Sequence, residues 1–318
     1  NIREDGNWEE GTEKRGEGVN ILHRTQQDED GELATLEEIL NETAAALLEA
    51  REKRPRPHYD DKVLTDWNGM MIAALAEASR IFEEPGWLEE AQSAFEFILS
   101  NSVRDKQGHL YHSWRDGRQA HAGIADDYSW MIRAALSLYE VSGEAFYLDH
   151  ARNWAEVLDK DFWDADNHGY FLSGPEATNL VVRPKTIADT ATPSANGIML
   201  GNLGRLAAHD PENRHWTERG EEQIAAFAGE IEGNIYGLFS YFTALDTFRK
   251  MRHIEITGLE SDPEIAKIRE YLRHKSCPDL IWLDLFEQTE SGKADLKYCY
   301  NGSCQELETN LDKIKAHI

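Results

Sequence analysis

Residues 54–75 read RPRPHYDDKVLTDWNGMMIAAL and join a loop rich in ionisable groups directly to an apolar helical pattern. From Leu64 to Phe82 the apolar side chains leave little charged face, which is typical of a helix buried on most sides. The helical patterns at 36–51 and 87–99 instead place glutamates opposite a single apolar stripe. The stretch therefore predicts an inner helix between two outer ones.

The alternation of outer and inner helical patterns continues along the chain. Further inner patterns cover 124–141, 194–208 and 235–248, and outer patterns cover 146–158 and 216–227. Aligned without gaps, three inner helices begin with DWNGM at 66–70, DYSWM at 127–131 and SANGI at 194–198, about 61 and 67 residues apart. Such a period is typical of repeated helical hairpins with long inserts.

Helical hairpins of this kind bury their inner faces by closing into an α/α toroid, and an open solenoid is the alternative. Four pairs of outer and inner helices are present, two fewer than a six-pair barrel requires. The sequence thus predicts a mainly α fold, an incomplete six-hairpin toroid whose N-terminal part is absent. Its inserts 108–121 and 169–186 are predicted to be β-hairpins, with Asp116 and Gly117 in the first turn.

Three regions follow from the change of pattern along the chain. Residues 1–35 form a polar, glycine-rich lead-in segment, 36–250 the α/α-barrel portion and 251–318 a small C-terminal α/β subdomain. In the last region we expect strands at 253–258, 280–285 and 296–300 and helices at 262–274 and 305–317.

Composition limits the possible partners. Fifty-nine acidic against 33 basic residues give a net charge of -26, which argues against nucleic acid and anionic membranes as partners and favours a small-molecule or glycan ligand. No run of 18 apolar residues or secretory signal is present, and three cysteines suit a reducing compartment, so we expect a cytoplasmic protein. We expect no cofactor and no metal, since 164–169 is better interpreted as a turn than as a calcium loop.

The catalytic candidates lie in the loops that precede the inner helices, because such loops converge on one mouth of a toroid. Asp66 and Asp127 occupy equivalent repeat positions and are the predicted acid and base, with Asp126 beside them. Glycoside hydrolysis with inversion requires two carboxylates about 6.5–9.5 Å apart, one of them with a raised pKa. His58, ahead of the acids, is a candidate base for the proton abstraction of an epimerase, and a histidine bonded to its own loop is the alternative.

Helix capping is the competing interpretation of the two aspartates. Asp66 and Asp127 occupy cap or first-turn positions, where a carboxylate stabilises a helix without any substrate. Their repeat equivalence and the neighbouring Asp60, Asp61 and Asp126 favour chemistry, because a cap requires no such cluster.

The predicted ligand contacts are flat aromatic rings and polar side chains around the same mouth. Trp67 and Trp130 lie within helical apolar patterns and are interpreted as core. The substrate-binding set is Trp114, Arg115, Asn68, Tyr128, Arg183, Lys185 and Asn196.

Four segments carry a family resemblance: HYDDKVLTDWNGMMIAAL at 58–75, SWRDGR at 113–118, VVRPKTIADTATPSANG at 181–197 and CYNGSC at 299–304. In this order they resemble the YyaL-type family of spermatogenesis-associated thioredoxin-domain proteins, over essentially the whole chain. The resemblance implies an N-terminal thioredoxin-like domain followed by an α/α six-barrel like that of sugar 2-epimerases and six-hairpin glycosidases. This chain would be the C-terminal part, with the thioredoxin-like domain and the remaining barrel segment as its partners in the same protein.

Three functions remain open on this basis. The first is a carbohydrate-active enzyme that hydrolyses glycosides or epimerises sugars, although the chain lacks the paired inner-helix histidines that a resemblance to 2-epimerases implies. The second is a thiol-redox protein in which Cys299 and Cys304 form a disulfide or exchange electrons with the thioredoxin-like domain. Two buried cysteines are the simpler interpretation. The third is a non-catalytic scaffold that binds a glycan or a partner.

Overall fold

The computed structural model describes residues 3–7, 20–21, 33–178, 180–231, 235–258, 261–285, 295–300 and 303–318. It divides into two compact units, 1–60 and 61–318. The first unit contains helix α1 (Leu33–Glu52), which confirms the helix predicted at 36–51. Most of the lead-in predicted at 1–35 lies outside the described residues, and the three-region division stays a prediction.

Helical hairpins make up most of the second unit. The inner helices are α2 (Thr65–Phe82), α4 (Ala125–Ser142), α6 (Ala195–His209) and α8 (Phe239–Lys250), and the outer ones are α3 (Pro85–Ser102), α5 (Ala145–Asp161) and α7 (His215–Ile231). The inner helices pack on one another in chain order, and α3, α5 and α7 pack against α2, α4 and α6. This two-layered arrangement is part of an α/α toroid, and it confirms the predicted fold class.

Burial differs among the inner helices. Helix α4 is buried over most of its surface, whereas α2 leaves Met71 and Phe82 exposed, so the prediction that α2 is buried on most sides is wrong. Met131, Ile132 and Leu136 of α4 are fully buried and join a core that includes Phe95 of α3 and Trp154 of α5. Each fully buried side chain of this size contributes about 1.5–3 kcal/mol. Among the described residues, no helix combines the length and apolar character that crossing a membrane requires.

The first insert is a β-hairpin, as predicted. Strands β2 (Tyr111–Arg115) and β3 (Arg118–Ala122) pair in antiparallel fashion, and β1 (Val63–Leu64) pairs with β2 on its other side. The turn residues Asp116 and Gly117 have φ angles of 49° and 75°, as a two-residue hairpin turn of positive φ requires.

The prediction of a second hairpin at 169–186 is wrong. The described residues there form no strand, and only an isolated bridge joins Trp163 to Tyr170. The Leu172 N–H donates to the Pro184 carbonyl at 2.7 Å, and the Arg183 side chain donates to the carbonyls of Ser173 and Asp161. The predicted turn at 164–169 is confirmed, since Asp164 accepts backbone hydrogen bonds within it.

The C-terminal part carries a four-stranded sheet in the order β5-β4-β6-β7. Its elements are β4 (Arg252–Thr257), α9 (Pro263–Arg273), β5 (Leu280–Leu285), β6 (Asp295–Tyr300), β7 (Ser303–Leu307) and α10 (Leu311–Lys315). The helix predicted at 305–317 is therefore partly wrong. Residues 303–307 are held as a strand by pairing with β6, and the helix starts only after Asn310, whose side chain accepts from the Asp312 N–H.

A disulfide joins Cys299 of β6 to Cys304 of β7, which stand opposite each other in the strand register. The interpretation of these residues as two buried free cysteines is wrong. Cys277 is the free cysteine of the described chain.

Candidate active site

Asp127 lies at the start of α4 and is completely buried. One carboxylate oxygen accepts the N–H of Ile124 at 2.8 Å, and the other accepts the N–H of Asp66 at 3.0 Å. The bond to Ile124 closes the first turn of α4, as a first-turn acid does in a capping box. Burial raises the pKa of Asp127, and the neighbouring His112 opposes that shift.

His112 of β2 completes the environment of Asp127. Its Nδ1 lies 3.1 Å from each oxygen of the Asp127 carboxylate, so one ring N–H is shared between them. That hydrogen bond raises the pKa of His112, against the effect of burial. The sequence offered little sign of this residue, because its contact depends on the hairpin folding back against α2 and α4.

Asp66 lies in the first turn of α2 and is buried except for about 8% of its surface. Its carboxylate accepts the N–H of Trp67 at 2.8 Å. Burial, and next the charge of Asp127, raise the pKa of Asp66. One oxygen of Asp66 lies within 4.8 Å of one oxygen of Asp127, so the two acids lie side by side and closer than inversion requires.

Asp126 shares a cavity of about 240 Å³ with Asp66. Thr186, Thr190 and Thr192 line the same cavity with hydroxyl groups. Burial, followed by the charges of Asp127 and Asp66, raises the pKa of Asp126 to about 6. A carboxyl group with this pKa is present in both protonation states near neutral pH, as a general acid or base must be.

Asp66, His112 and Asp127 form a group whose ligand atoms lie within 4.8 Å of one another. The donor set suits a divalent metal by its chemistry. However, both Asp127 oxygens already accept a backbone N–H and share the His112 ring N–H. We therefore assign no metal to this group.

The predicted catalytic residues are brought together in part. Asp66, Asp126 and Asp127 form one cluster, whereas His58 belongs to the first unit, where its side chain is exposed. Of the three clustered acids, Asp66 and Asp126 line the cavity, and Asp127 is enclosed behind them. The catalytic roles stay predictions.

Three side chains in or near the first insert, which the sequence predicts to contact a ligand, contact other residues of the protein instead. Trp114 packs edge to face on Phe97 of α3, with ring centroids 5.2 Å apart. Arg115 forms an ion pair of 2.6 Å with Asp61. The buried Tyr128 hydroxyl accepts the N–H of Leu110 at 2.9 Å.

The remaining predicted contacts also have partners within the protein. The Asn68 amide donates to the Leu64 carbonyl within the first turn of α2, and Lys185 forms an ion pair of 2.7 Å with Asp164. The Asn196 amide bonds to both the N–H and the carbonyl of Tyr170, and Asn196 also lines the cavity. Of the predicted set, Asn196 is the one beside Asp66 and Asp126.

The interpretation of Trp67 as a core residue is wrong. Its surface is 59% exposed, one residue after Asp66, whereas Trp130 is half-buried. The Trp67 indole is not among the side chains that line the cavity of Asp66 and Asp126. The helical apolar pattern does not reveal this exposure, because it cannot distinguish a face covered by protein from one left open.

No protein-family model matches the chain. It is 33% identical over 252 residues to spermatogenesis-associated protein 20 of Rattus norvegicus, a match that covers 76% of this chain and 31% of that protein. Its identity to the Homo sapiens protein of the same name is 31% over 199 residues, covering 60% and 25%. An uncharacterized protein of Caenorhabditis elegans is 32% identical over 223 residues, covering 64% and 30%. The chain thus spans less than a third of these relatives.

Several solved structures have a similar backbone fold. A GH76 alpha-mannanase of Bacteroides thetaiotaomicron gives a TM-score of 0.49 at 18% identity, covering 59% of this chain and 52% of that one. Cellobiose 2-epimerase of Spirochaeta thermophila gives 0.46 at 17% identity, covering 64% and 56%. A family 105 glycoside hydrolase of C. acetobutylicum gives 0.44 at 16% identity, covering 64% and 61%.

Proposed function

The chain belongs to the family of spermatogenesis-associated protein 20, and for this member we propose sugar chemistry, glycoside hydrolysis or epimerisation, by acid–base catalysis at Asp66 and Asp126. The observation that carries the proposal is their shared cavity. Both acids have raised pKa values there, that of Asp126 being about 6. A carboxyl group whose pKa is raised toward neutrality can act as a general acid.

Asp126 is the proposed proton donor, since burial and the neighbouring carboxylates raise its pKa to about 6. In hydrolysis Asp126 would protonate the glycosidic oxygen as its bond to the sugar carbon breaks. Water would add to that carbon, and Asp66 would accept the proton of that water. In epimerisation the same two groups would remove and return a carbon-bound proton.

Asp127 acts as a positioning residue in this proposal. It is buried behind the cavity and holds the backbone of Asp66 through a 3.0 Å hydrogen bond. Its negative charge also raises the pKa values of Asp126 and Asp66.

Incubating the chain with a panel of reducing sugars and disaccharides in deuterated water tests the proposal and separates the two reactions. An epimerase introduces deuterium at a carbon of the substrate, and a hydrolase releases new reducing ends without that exchange. Both signals are read by NMR. Asp126→Asn and Asp66→Asn should each lower the rate by about 10²-fold or more. Asp116→Asn, in the exposed hairpin turn, is the matched control and should leave the rate unchanged.

If neither exchange nor reducing ends appear with any sugar of the panel, the proposal is wrong. A rate that Asp126→Asn and Asp116→Asn change equally would also exclude Asp126 as the acid. Binding of sugars without turnover would favour the non-catalytic scaffold.

Disulfide exchange is a second candidate, favoured by the bond between Cys299 and Cys304. Cys304 is exposed, so a dithiol protein has access to its sulfur. In the exchange the partner's two thiols would be oxidised to a disulfide, and Cys299 and Cys304 would be reduced to thiols. Incubation with reduced thioredoxin and titration of the thiols tests this, and an unchanged thiol count would exclude it.

A further inference from the structure

A second cavity, of about 540 Å³, lies between the four inner helices. Every inner helix contributes to its wall, including Glu77 of α2, Arg133 of α4, Gly201 and Arg205 of α6, and Thr243 of α8. The predicted active-site residues are not among those that line it. Pro193 lines both this cavity and the one that holds Asp66 and Asp126, so the two adjoin.

Most charged groups of the second cavity are matched by the protein. Arg205 forms ion pairs with Glu77 at 3.3 Å and with Glu140 at 2.9 Å. The carboxylate of Asp189 accepts the backbone N–H groups of Ser194 and Ser240 at 3.1 and 2.9 Å. These groups therefore need no ligand.

Arg133 is the exception. Its Nε donates to the Asn202 amide oxygen at 2.8 Å, but within the described ranges no carboxylate oxygen lies within 4.0 Å of its guanidinium. Its two terminal amino groups likewise have no hydrogen-bond acceptor among the described residues. Burial, and next the charge of Arg205, lower the pKa of Arg133 to about 10, so the side chain is still charged at neutral pH.

Gly201 makes room for this guanidinium. A Cβ atom at position 201 would lie 2.7 Å from an Arg133 terminal nitrogen. A partly buried cation with four unused N–H donors is costly unless an anion satisfies them. The two terminal amino groups of Arg133 therefore line the cavity as hydrogen-bond donors that have no acceptor among the described residues.

We propose that this cavity binds a small molecule that carries a carboxylate, held by the terminal amino groups of Arg133. A planar carboxylate matches the guanidinium fork with two parallel hydrogen bonds. Glu77 and Asp189 also line the cavity, so a singly charged group is favoured over a doubly charged phosphate.

The position of Arg133 relates this site to the proposed chemistry. Arg133 follows Asp126 by seven residues on α4, which places it about 10 Å farther along the helix axis. A ligand that spans the adjoining cavities would bring its carboxylate to Arg133 and its reacting bond to Asp126. The identification of this ligand as the substrate, an acidic glycan, rests on the function proposed above. The carboxylate site itself is independent of that function.

Isothermal titration calorimetry with D-glucuronate, D-glucose and inorganic phosphate tests the proposal directly on the whole chain. Glucuronate should bind more tightly than glucose or phosphate, and Arg133→Gln should weaken glucuronate binding at least about tenfold. Arg118→Gln, on the exposed strand β3, removes the same charge outside the cavity and should change nothing. Arg133→Lys keeps the charge without the planar fork and should weaken binding by less than Arg133→Gln.

Glucuronate that binds no better than glucose, or equally well to wild type and Arg133→Gln, overturns the proposal. Phosphate that binds more tightly than glucuronate overturns the assignment to a carboxylate. If Arg133→Gln does not fold, the Arg133→Lys comparison decides, and an unchanged affinity contradicts the site. Arg133-dependent binding without any sugar turnover would refute the proposed function alone, and turnover of sugars without such binding would refute this inference alone.

Discussion

The backbone N–H of Asp66 at the start of α2 donates a 3.0 Å hydrogen bond to the carboxylate of Asp127 at the start of α4. Two positions that are equivalent in the helical repeat are therefore bonded to each other. The contact joins the first turns of adjoining inner helices beside the cavity that Asp66 and Asp126 line. It gives Asp127 a structural task that is independent of any substrate.

Asp127→Asn should destabilise the protein by about 2–3 kcal/mol, because one carboxylate oxygen becomes a donor that faces backbone N–H groups. The N–H of Ile124 or Asp66 would then stay buried without an acceptor. Urea unfolding followed by circular dichroism measures the loss. Asp116→Asn, in the exposed turn, is the control and should lie within about 0.5 kcal/mol of wild type. A loss no larger than the control's would show that the buried hydrogen bonds are not important for stability.

Asp126 should titrate near pH 6, and Asp126→Asn should change how stability depends on pH. A carboxyl group whose folded pKa lies above its unfolded value of about 3.8 holds its proton more tightly when folded. Its contribution to stability therefore falls as pH rises from about 4 to 6, by up to about 3 kcal/mol. Asp126→Asn should be more stable than wild type at pH 7, with the advantage gone at pH 3.5. Carboxyl-carbon NMR gives the pKa itself, and a value below 4.5 would contradict the prediction.

The helical architecture could be predicted from the sequence because its signal is local and repeated. The inner pattern that starts at 66 returns at 127 and 194, and the helices were found at these places. The second insert shows the limit of such reasoning. Its alternation of residue types resembles a hairpin, but Arg183 satisfies backbone carbonyls by side-chain hydrogen bonds, which no periodicity reveals. The strand at 303–307 likewise depends on its pairing with β6.

The candidate site could be predicted only to the level of residue types. The alignment of the inner helices identifies Asp66 and Asp127 as candidate catalytic residues. It does not indicate which carboxylate faces a cavity and which is buried. His112 and Arg133 were missed because each owes its role to contacts between distant elements: His112 to Asp127, and Arg133 to Asn202. Such contacts leave no spacing signal in the sequence.

His112→Gln should cost more stability at acidic than at alkaline pH. The hydrogen bond to Asp127 raises the pKa of His112 above its ordinary value of about 6.5. Its stabilising contribution is thus complete below pH 6.5 and is lost as pH rises through the raised folded value. We expect a loss of about 1.5–3 kcal/mol at pH 5.5, as for a hydrogen bond to a charged group, and a smaller one at pH 9. In an Asp127→Asn background, His112→Gln should cost the same stability at pH 5.5 and at pH 9. If the loss is still larger at pH 5.5, a residue other than Asp127 stabilises the charged His112.

Reduction of the disulfide should destabilise the C-terminal sheet by about 2 kcal/mol, the chain-entropy value for so short a loop. Thiol titration in denaturant should find one reactive thiol, Cys277, before reduction and three afterwards. The Cys299→Ser, Cys304→Ser double variant should match the reduced protein in urea unfolding. Three thiols in the protein kept under oxidising conditions would contradict the disulfide.

Gly69→Ala should destabilise the protein by about 1–3 kcal/mol, because α2 and α4 touch at this glycine. A Cβ at position 69 would lie 2.8 Å from the backbone carbon of Trp130, which cannot move without shifting α4. Gly197, the equivalent glycine of α6, approaches α8: a Cβ there would lie 2.6 Å from the Ser240 hydroxyl and 3.2 Å from the Tyr241 backbone nitrogen. The equivalent residue of α4 is Trp130, so glycine recurs in two of the three aligned helices. The close approach of α2 to α4 thus depends on Gly69.

Gly229→Ala in the outer helix α7 is the matched control, since no atom lies within 4 Å of a Cβ built there. Alanine has the higher helix propensity by about 1 kcal/mol, so this variant should be slightly more stable than wild type. The two substitutions therefore shift urea midpoints in opposite directions. A Gly69→Ala variant as stable as Gly229→Ala would mean that α2 and α4 pack less closely than the structure shows. It would also remove the physical reason for glycine at the aligned positions 69 and 197.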